Sequence, residues 1–123
     1  MDKEQAIHQF WSSFELTAYD ENSVPDDAEM PYITYNVSTG DIDDPLILNA
    51  SLWYRSSSWA EAVNKTKEIA RFIGEYGHKV FRLDNGYMWV TKGTPFSQRM
   101  SDPDDPAIRR IYIIINAEFL TGY

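Results

Sequence analysis

The groups in this chain that could do chemistry are its carboxylates, two histidines and a pair of adjacent arginines. Asp41-Ile42-Asp43-Asp44 and Asp102-Pro103-Asp104-Asp105 each bring three carboxylates close together. Such clusters invite calcium, a hard cation that takes oxygen ligands. An EF-hand loop places Asp at alternate positions, glycine at its sharp turn and a bidentate Glu at its end. Neither cluster has that glycine or that Glu. The spacing therefore favours solvated turns in which Asp accepts local backbone hydrogen bonds. His8 and His78 fall in different elements, with no second ligand at helical or hairpin spacing. No serine occupies a nucleophile elbow, and Ser56-Ser57-Ser58 reads as a strand-to-helix turn. Gly74, Gly77 and Gly86 form no phosphate-binding run. No metal, cofactor or catalytic residue is expected. The sequons at Asn36, Asn49 and Asn64 lack a secretory signal before them and are read as accidental.

The remaining chemistry is that of contact. Residues Pro95 to Ala107 read as a long polar loop with three prolines, containing Arg99 and the second Asp cluster. Arg109 and Arg110 follow it at once. Loops beyond about 12 residues are uncommon in compact domains unless they do something. Trp53 and Trp89 lie on strand faces, and an exposed Trp with Arg nearby is enriched at interface hot spots. Covering of both tryptophans by a second layer, such as the first helix, is the equal alternative. The candidate interface is thus Arg99, Asp102, Asp104, Asp105, Arg109, Arg110, Trp53 and Trp89. The arginines either cross a subunit boundary or bridge to the Asp cluster of their own chain. The loop is expected to be mobile in the monomer and to order on assembly.

The elements that position these residues follow from periodicity. Asp2 with Gln5 makes a capping box, and Ile7, Phe10, Trp11 and Phe14 share one helical face, so a helix is predicted over about 3–15. Leu16 to Tyr19 is a short strand, and an acidic linker, Asp20 to Pro31, follows. Ile33, Tyr35 and Val37 alternate with polar residues. Leu46 to Arg55 puts Leu46, Leu48, Ala50, Leu52 and Tyr54 on one side, Trp53 on the other. These two strands form a hairpin through a turn at Gly40 to Pro45. Ser58 and Glu61 cap a second helix, ended by Gly77. Lys79 to Asp84 and Tyr87 to Thr91 flank a type I′ turn at Asn85-Gly86. Ile111 to Leu120 is the strongest strand, and Ile114 and Leu120 on its outer face imply partial cover there. The fold class is α+β: a mainly antiparallel sheet of about five to six strands against two helices, in the order α-β-β-(β)-α-β-β-β.

The bulk properties narrow the function. The 123 residues fit one domain, 1–123, and a hydrophobic fraction of 43% suffices for a core. No cysteine is present, which removes disulfides and thiolate metal sites. No basic start with an apolar run marks a signal peptide, and no run approaches the roughly 20 apolar residues of a membrane span. A soluble, intracellular protein is expected. The net charge of −8 disfavours nucleic acid and favours solubility or a basic protein partner.

Several features together resemble the tail terminator (tail completion) family of long-tailed bacteriophages, of which the lambda tail terminator is typical. They are the N-terminal amphipathic helix, Leu16 to Tyr19 with its acidic linker, and the strand entry Pro31-Tyr32-Ile33-Thr34-Tyr35. Trp53-Tyr54 follows, then Ser57-Ser58-Trp59 opening the long helix. Gly86-Tyr87-Met88-Trp89-Val90 leads on to Gly93-Thr94-Pro95-Phe96, the Arg109-Arg110 loop and a long last strand. The resemblance implies an antiparallel sheet flanked by helices and a hexameric ring at the head-proximal end of the tail tube. Its partners would be further copies of itself, the tail tube protein and the head connector, in a virion assembled in the host cytoplasm. It implies no catalytic residues. The alternatives are another neck, head-closure or minor tail protein and, in a different class, a small ligand-binding or enzymatic α+β domain.

Overall fold

The computed structural model describes residues 1–36, 46–74 and 78–121. Val37, the Gly40–Pro45 turn, the Asp41–Asp44 cluster, Tyr76 and the Gly77 cap lie outside them. The order is α1 (Lys3–Trp11), a short 3-10 turn (Ser12–Phe14), β1 (Thr17–Asp20), β2 (Tyr32–Tyr35), β3 (Leu46–Arg55), α2 (Ala60–Ile73), β4 (His78–Leu83), β5 (Gly86–Ser101) and β6 (Ile108–Thr121). This is an α+β fold with two helices and a six-stranded, mostly antiparallel, curled sheet. The strand order is β1-β2-β3-β6-β5-β4, and only the β1–β2 pair is parallel.

The first helix forms as its ends dictate. The Asp2 carboxylate accepts from the Gln5 amide at 2.8 Å, and the Gln5 side chain accepts from the Asp2 amide at 2.9 Å. The helix ends in the 3-10 turn, and Glu15 takes φ 62°, the left-handed conformation that stops a helix. Ile7, Phe10, Trp11 and Phe14 are buried. Phe10 and Phe14 meet Phe72 of α2 and Phe81 of β4 in a cluster of mostly edge-to-face rings. Each such ring pair adds about 0.5–1.5 kcal/mol beyond the burial itself. Both helices therefore lie on the same face of the sheet.

That face is the alternating side of each strand. Leu48, Ala50, Leu52 and Tyr54 of β3 and Ile111, Ile113, Ile115, Ala117 and Phe119 of β6 are buried beneath the helices. The β3–β6 register pairs Leu48 with Ile115, Ala50 with Ile113 and Leu52 with Ile111. His8 ties α1 to β2, its Nδ1 lying 2.8 Å from the Tyr35 hydroxyl.

Four local expectations are corrected. Helix α2 begins one residue later than a Ser58 cap requires, with its first carbonyl on Trp59 accepting from Val63. Ser58 Oγ accepts from Ala60 instead, so the box with Glu61 does not form. The helix also ends early, at Ile73, with Gly74 at φ 111° serving as the cap, a conformation that suits glycine. The β4–β5 turn is Asp84–Asn85, closed by the Leu83–Gly86 pair. Neither central residue has the positive φ that type I′ needs; the Asp84 amide is donated to the Met1 carbonyl, which fixes the turn from outside.

The fourth correction is the largest. Pro95 to Ser101 is strand, not loop. β5 pairs with β6 from Gly86 to Lys92, breaks register, and pairs again from Ser97 to Ser101. The break extrudes residues 93–96, which include two residues that depress strand prediction, Gly93 and Pro95. The true loop is only Asp102 to Ala107.

Candidate protein interface

The site residues fall into three places. The first is the β5–β6 tip. Asp102 Oδ1 accepts from the amides of Asp104 (2.8 Å) and Asp105 (3.1 Å), and Asp105 Oδ1 accepts from Ala107 (2.9 Å). These carboxylates shape their own turn, as Asp does in Asx turns. The other oxygen of Asp105 accepts from Arg55 Nη1 at 2.7 Å. That hydrogen bond, with the Ala107 amide, holds the Asp105 carboxyl below the usual carboxylate range.

Beside this turn, Arg109 is bound into its own chain. Its Nε donates to the Ser56 carbonyl at 3.1 Å and its Nη2 to that of Ser57 at 3.2 Å. Arg109 and Arg99 both lie over the Trp59 ring, at 5.5 and 5.1 Å from its centroid. The intrachain partner of Asp105 is thus Arg55, while Arg109 closes the strand-to-helix turn.

The second place is the outer face of the sheet, opposite both helices. Adjacent residues of a strand point to opposite faces, so Arg110 stands on the outer side from Arg109. Register aligns Tyr32, Trp53, Arg110 and Met100 in one row across four strands. Arg110 lies 4.7 Å from the Trp53 ring and donates to Ser51 Oγ at 3.0 Å. Trp53 Nε1 donates to Thr34 Oγ1 at 2.8 Å. Trp53 is half-buried by these neighbours and not by α1, which packs on the other face.

The third place is the far end of the same outer face, where Trp89 sits. Val80, Tyr87, Trp89 and Leu120 line a shallow apolar hollow of about 260 Å³. Val80 is 46%, Tyr87 49% and Leu120 44% exposed, large values for apolar side chains, and Ile47 nearer the middle is 69% exposed. Among the described residues no helix covers this face. Ile114 is half-buried because the extruded Gly93 runs against it; a Cβ on Gly93 would lie 2.5 Å from its Cγ2. Sequence reading found Leu120 and Trp89 but not Val80, Tyr87 or Ile47. The available signal was the pairing of neighbours Val80-Phe81 and Met88-Trp89, apolar on both faces of a strand.

The structure therefore separates the candidate residues rather than gathering them. Arg99, Asp102, Asp104, Asp105 and Arg109 share one end of the sheet, Trp53 and Arg110 its outer face, and Trp89 the opposite end. The chain matches no protein-family model, no curated protein and no solved structure. Among the described residues no three His, Cys, Asp or Glu side chains group as metal ligands would, and no helix is long and apolar enough to cross a membrane. One groove adds residues that sequence reading left aside. It runs between α2 and β5, has about 340 Å³, and is lined by Val63, Thr66, Lys67, Ser97, Arg99 and Ile111.

Proposed function

We propose that this chain is a phage assembly protein of the tail-terminator kind. It would form a ring at the head-proximal end of the tail tube, stop tube polymerisation and present a docking surface to the head connector. The residue pattern from Pro31 to the Arg109-Arg110 strand entry suggests the family. The observation that carries the assembly reading is the outer sheet face. Val80, Tyr87, Leu120 and Ile47 keep large apolar areas in water there, a state that marks protein contact surfaces. A row of aromatic and cationic side chains, Tyr32, Trp53 and Arg110, continues the same face. Aromatic and arginine side chains are enriched where subunits meet.

Solution mass and negative-stain imaging test the reading. The expected result is ring-shaped particles of six subunits, formed by the protein alone or on purified tail-tube protein. A protein that stays monomeric at every concentration, with and without tube protein, rules it out. Binding to tube protein separates a terminator from a neck or head-closure protein, which would bind the connector only.

A further inference from the structure

We propose that the groove between α2 and β5 receives the acidic segment 20–29 of a second copy of this chain. The inference rests on the ring-forming reading and gives that ring its contact.

The groove is cationic in a protein that is otherwise acidic. Lys67 from α2 and Arg99 from β5 stand on its two walls, with the Thr66 and Ser97 hydroxyls and the apolar Val63 and Ile111 between them. Neither Lys67 nor Arg99 enters an ion pair among the described residues. The Trp59 ring orients Arg99 without neutralising it. The groove also opens along a strand edge. β4 pairs with β5 only as far as Thr91, so the Ser97–Ser101 stretch has β6 on one side and, among the described residues, no strand on the other.

Topology supplies the occupant. Every Lys and Arg except Lys3 lies at or after Arg55. The sheet order places β1, β2 and β3 together in one half and β6, β5 and β4 in the other. Unequal charge along the sequence thus becomes unequal charge across the sheet. Segment 20–29 leaves β1, the edge strand of the acidic half. Asp20 accepts from the Asn22 amide and Glu21 from Asn36 Nδ2. Asp26, Asp27 and Glu29 are exposed, and no hydrogen bond or salt bridge among the described residues uses them. Complementary patches at opposite edges of one sheet meet head to tail, the heterologous contact from which rings are built. A two-fold contact through either edge would set like charges against each other.

Charge reversal tests this without identifying any other partner. Lys67→Glu/Arg99→Glu gives a copy acidic at both edges, and Asp26→Lys/Asp27→Lys a copy basic at both. Each variant alone is expected to associate about a hundredfold more weakly than wild type, since like charges across an interface cost several kcal/mol. Mixed one to one, they should recover rings, because each groove then meets an opposite linker. Circular dichroism and thermal unfolding of each variant establish that it is folded. Folded variants that assemble alone like wild type, or a mixture that stays dissociated, overturn the proposed contact while wild-type rings uphold the assembly reading. A wild-type protein that never forms rings overturns both.

Discussion

At the scale of single residues, the candidates divide by whether their own chain already occupies them. Arg109 donates to two backbone carbonyls and Asp105 accepts from Arg55, so both act first as fasteners of the β5–β6 tip. The Arg55 guanidinium holds the Asp105 carboxyl down. A lowered carboxyl contributes stability above its ordinary range and loses it as pH falls through the folded value. Arg55→Ala should therefore move the Asp105 titration, followed by carboxyl NMR, back up toward the ordinary range; an unmoved titration would contradict the pairing. Tyr54 behaves oppositely. Burial first, then Glu61 and Glu68, push its hydroxyl up to about 12 from 10.0. Its contribution is present in full below pH 10.0 and is lost as pH rises toward 12. Tyr54→Phe should remove one late phenolate from the alkaline absorbance titration and flatten the alkaline loss of stability. The caps and turns of this scale were legible where one side chain decides the matter, as Asp2 and Gln5 do. They were not where a distant group intervenes, as the Met1 carbonyl does at Asp84.

Among elements, β5 carries the lesson. Its sequence from Gly93 to Ser101 lacks the alternation of a half-buried strand, because its core-facing positions include Ser97 and Arg99, beside the groove and not beneath a helix. Periodicity reports burial, and a strand with little to bury is silent to it. β3 was readable residue by residue and β6 from Ile111 to Leu120, where each buries one whole side, whereas β6 in fact begins at Ile108. The extruded 93–96 stretch depends on Gly93: an added Cβ would lie 2.7 Å from the Ile114 carbonyl oxygen, a backbone atom with little room to yield. Gly93→Ala should destabilise the fold by about 1–3 kcal/mol, the usual cost of overpacking, measured by urea unfolding. A wild-type midpoint would show that the bulge can relax away from β6.

Over the whole molecule, fold class could be read from the order of periodic segments, but strand order could not. Nothing in the sequence of β6 says that it inserts between β3 and β5. For the same reason the candidate interface was only partly legible: the acidic linker was visible as composition, whereas the Lys67–Arg99 groove exists only once α2 lies across β5. The central place of β6 has a further consequence, for synthesis. β3 and β5 share no pairing with each other; each is joined to β6, β3 through ten registered residue pairs. A growing chain that has not yet reached Ile108 thus holds two half-sheets, each with a bare inner edge open to unwanted pairing. The contacts that join them span large separations along the chain, which makes closure slow. On the ring contact proposed above, each copy would complete that closure before presenting both of its edges, and the timing of a single strand would limit premature joining of half-made subunits.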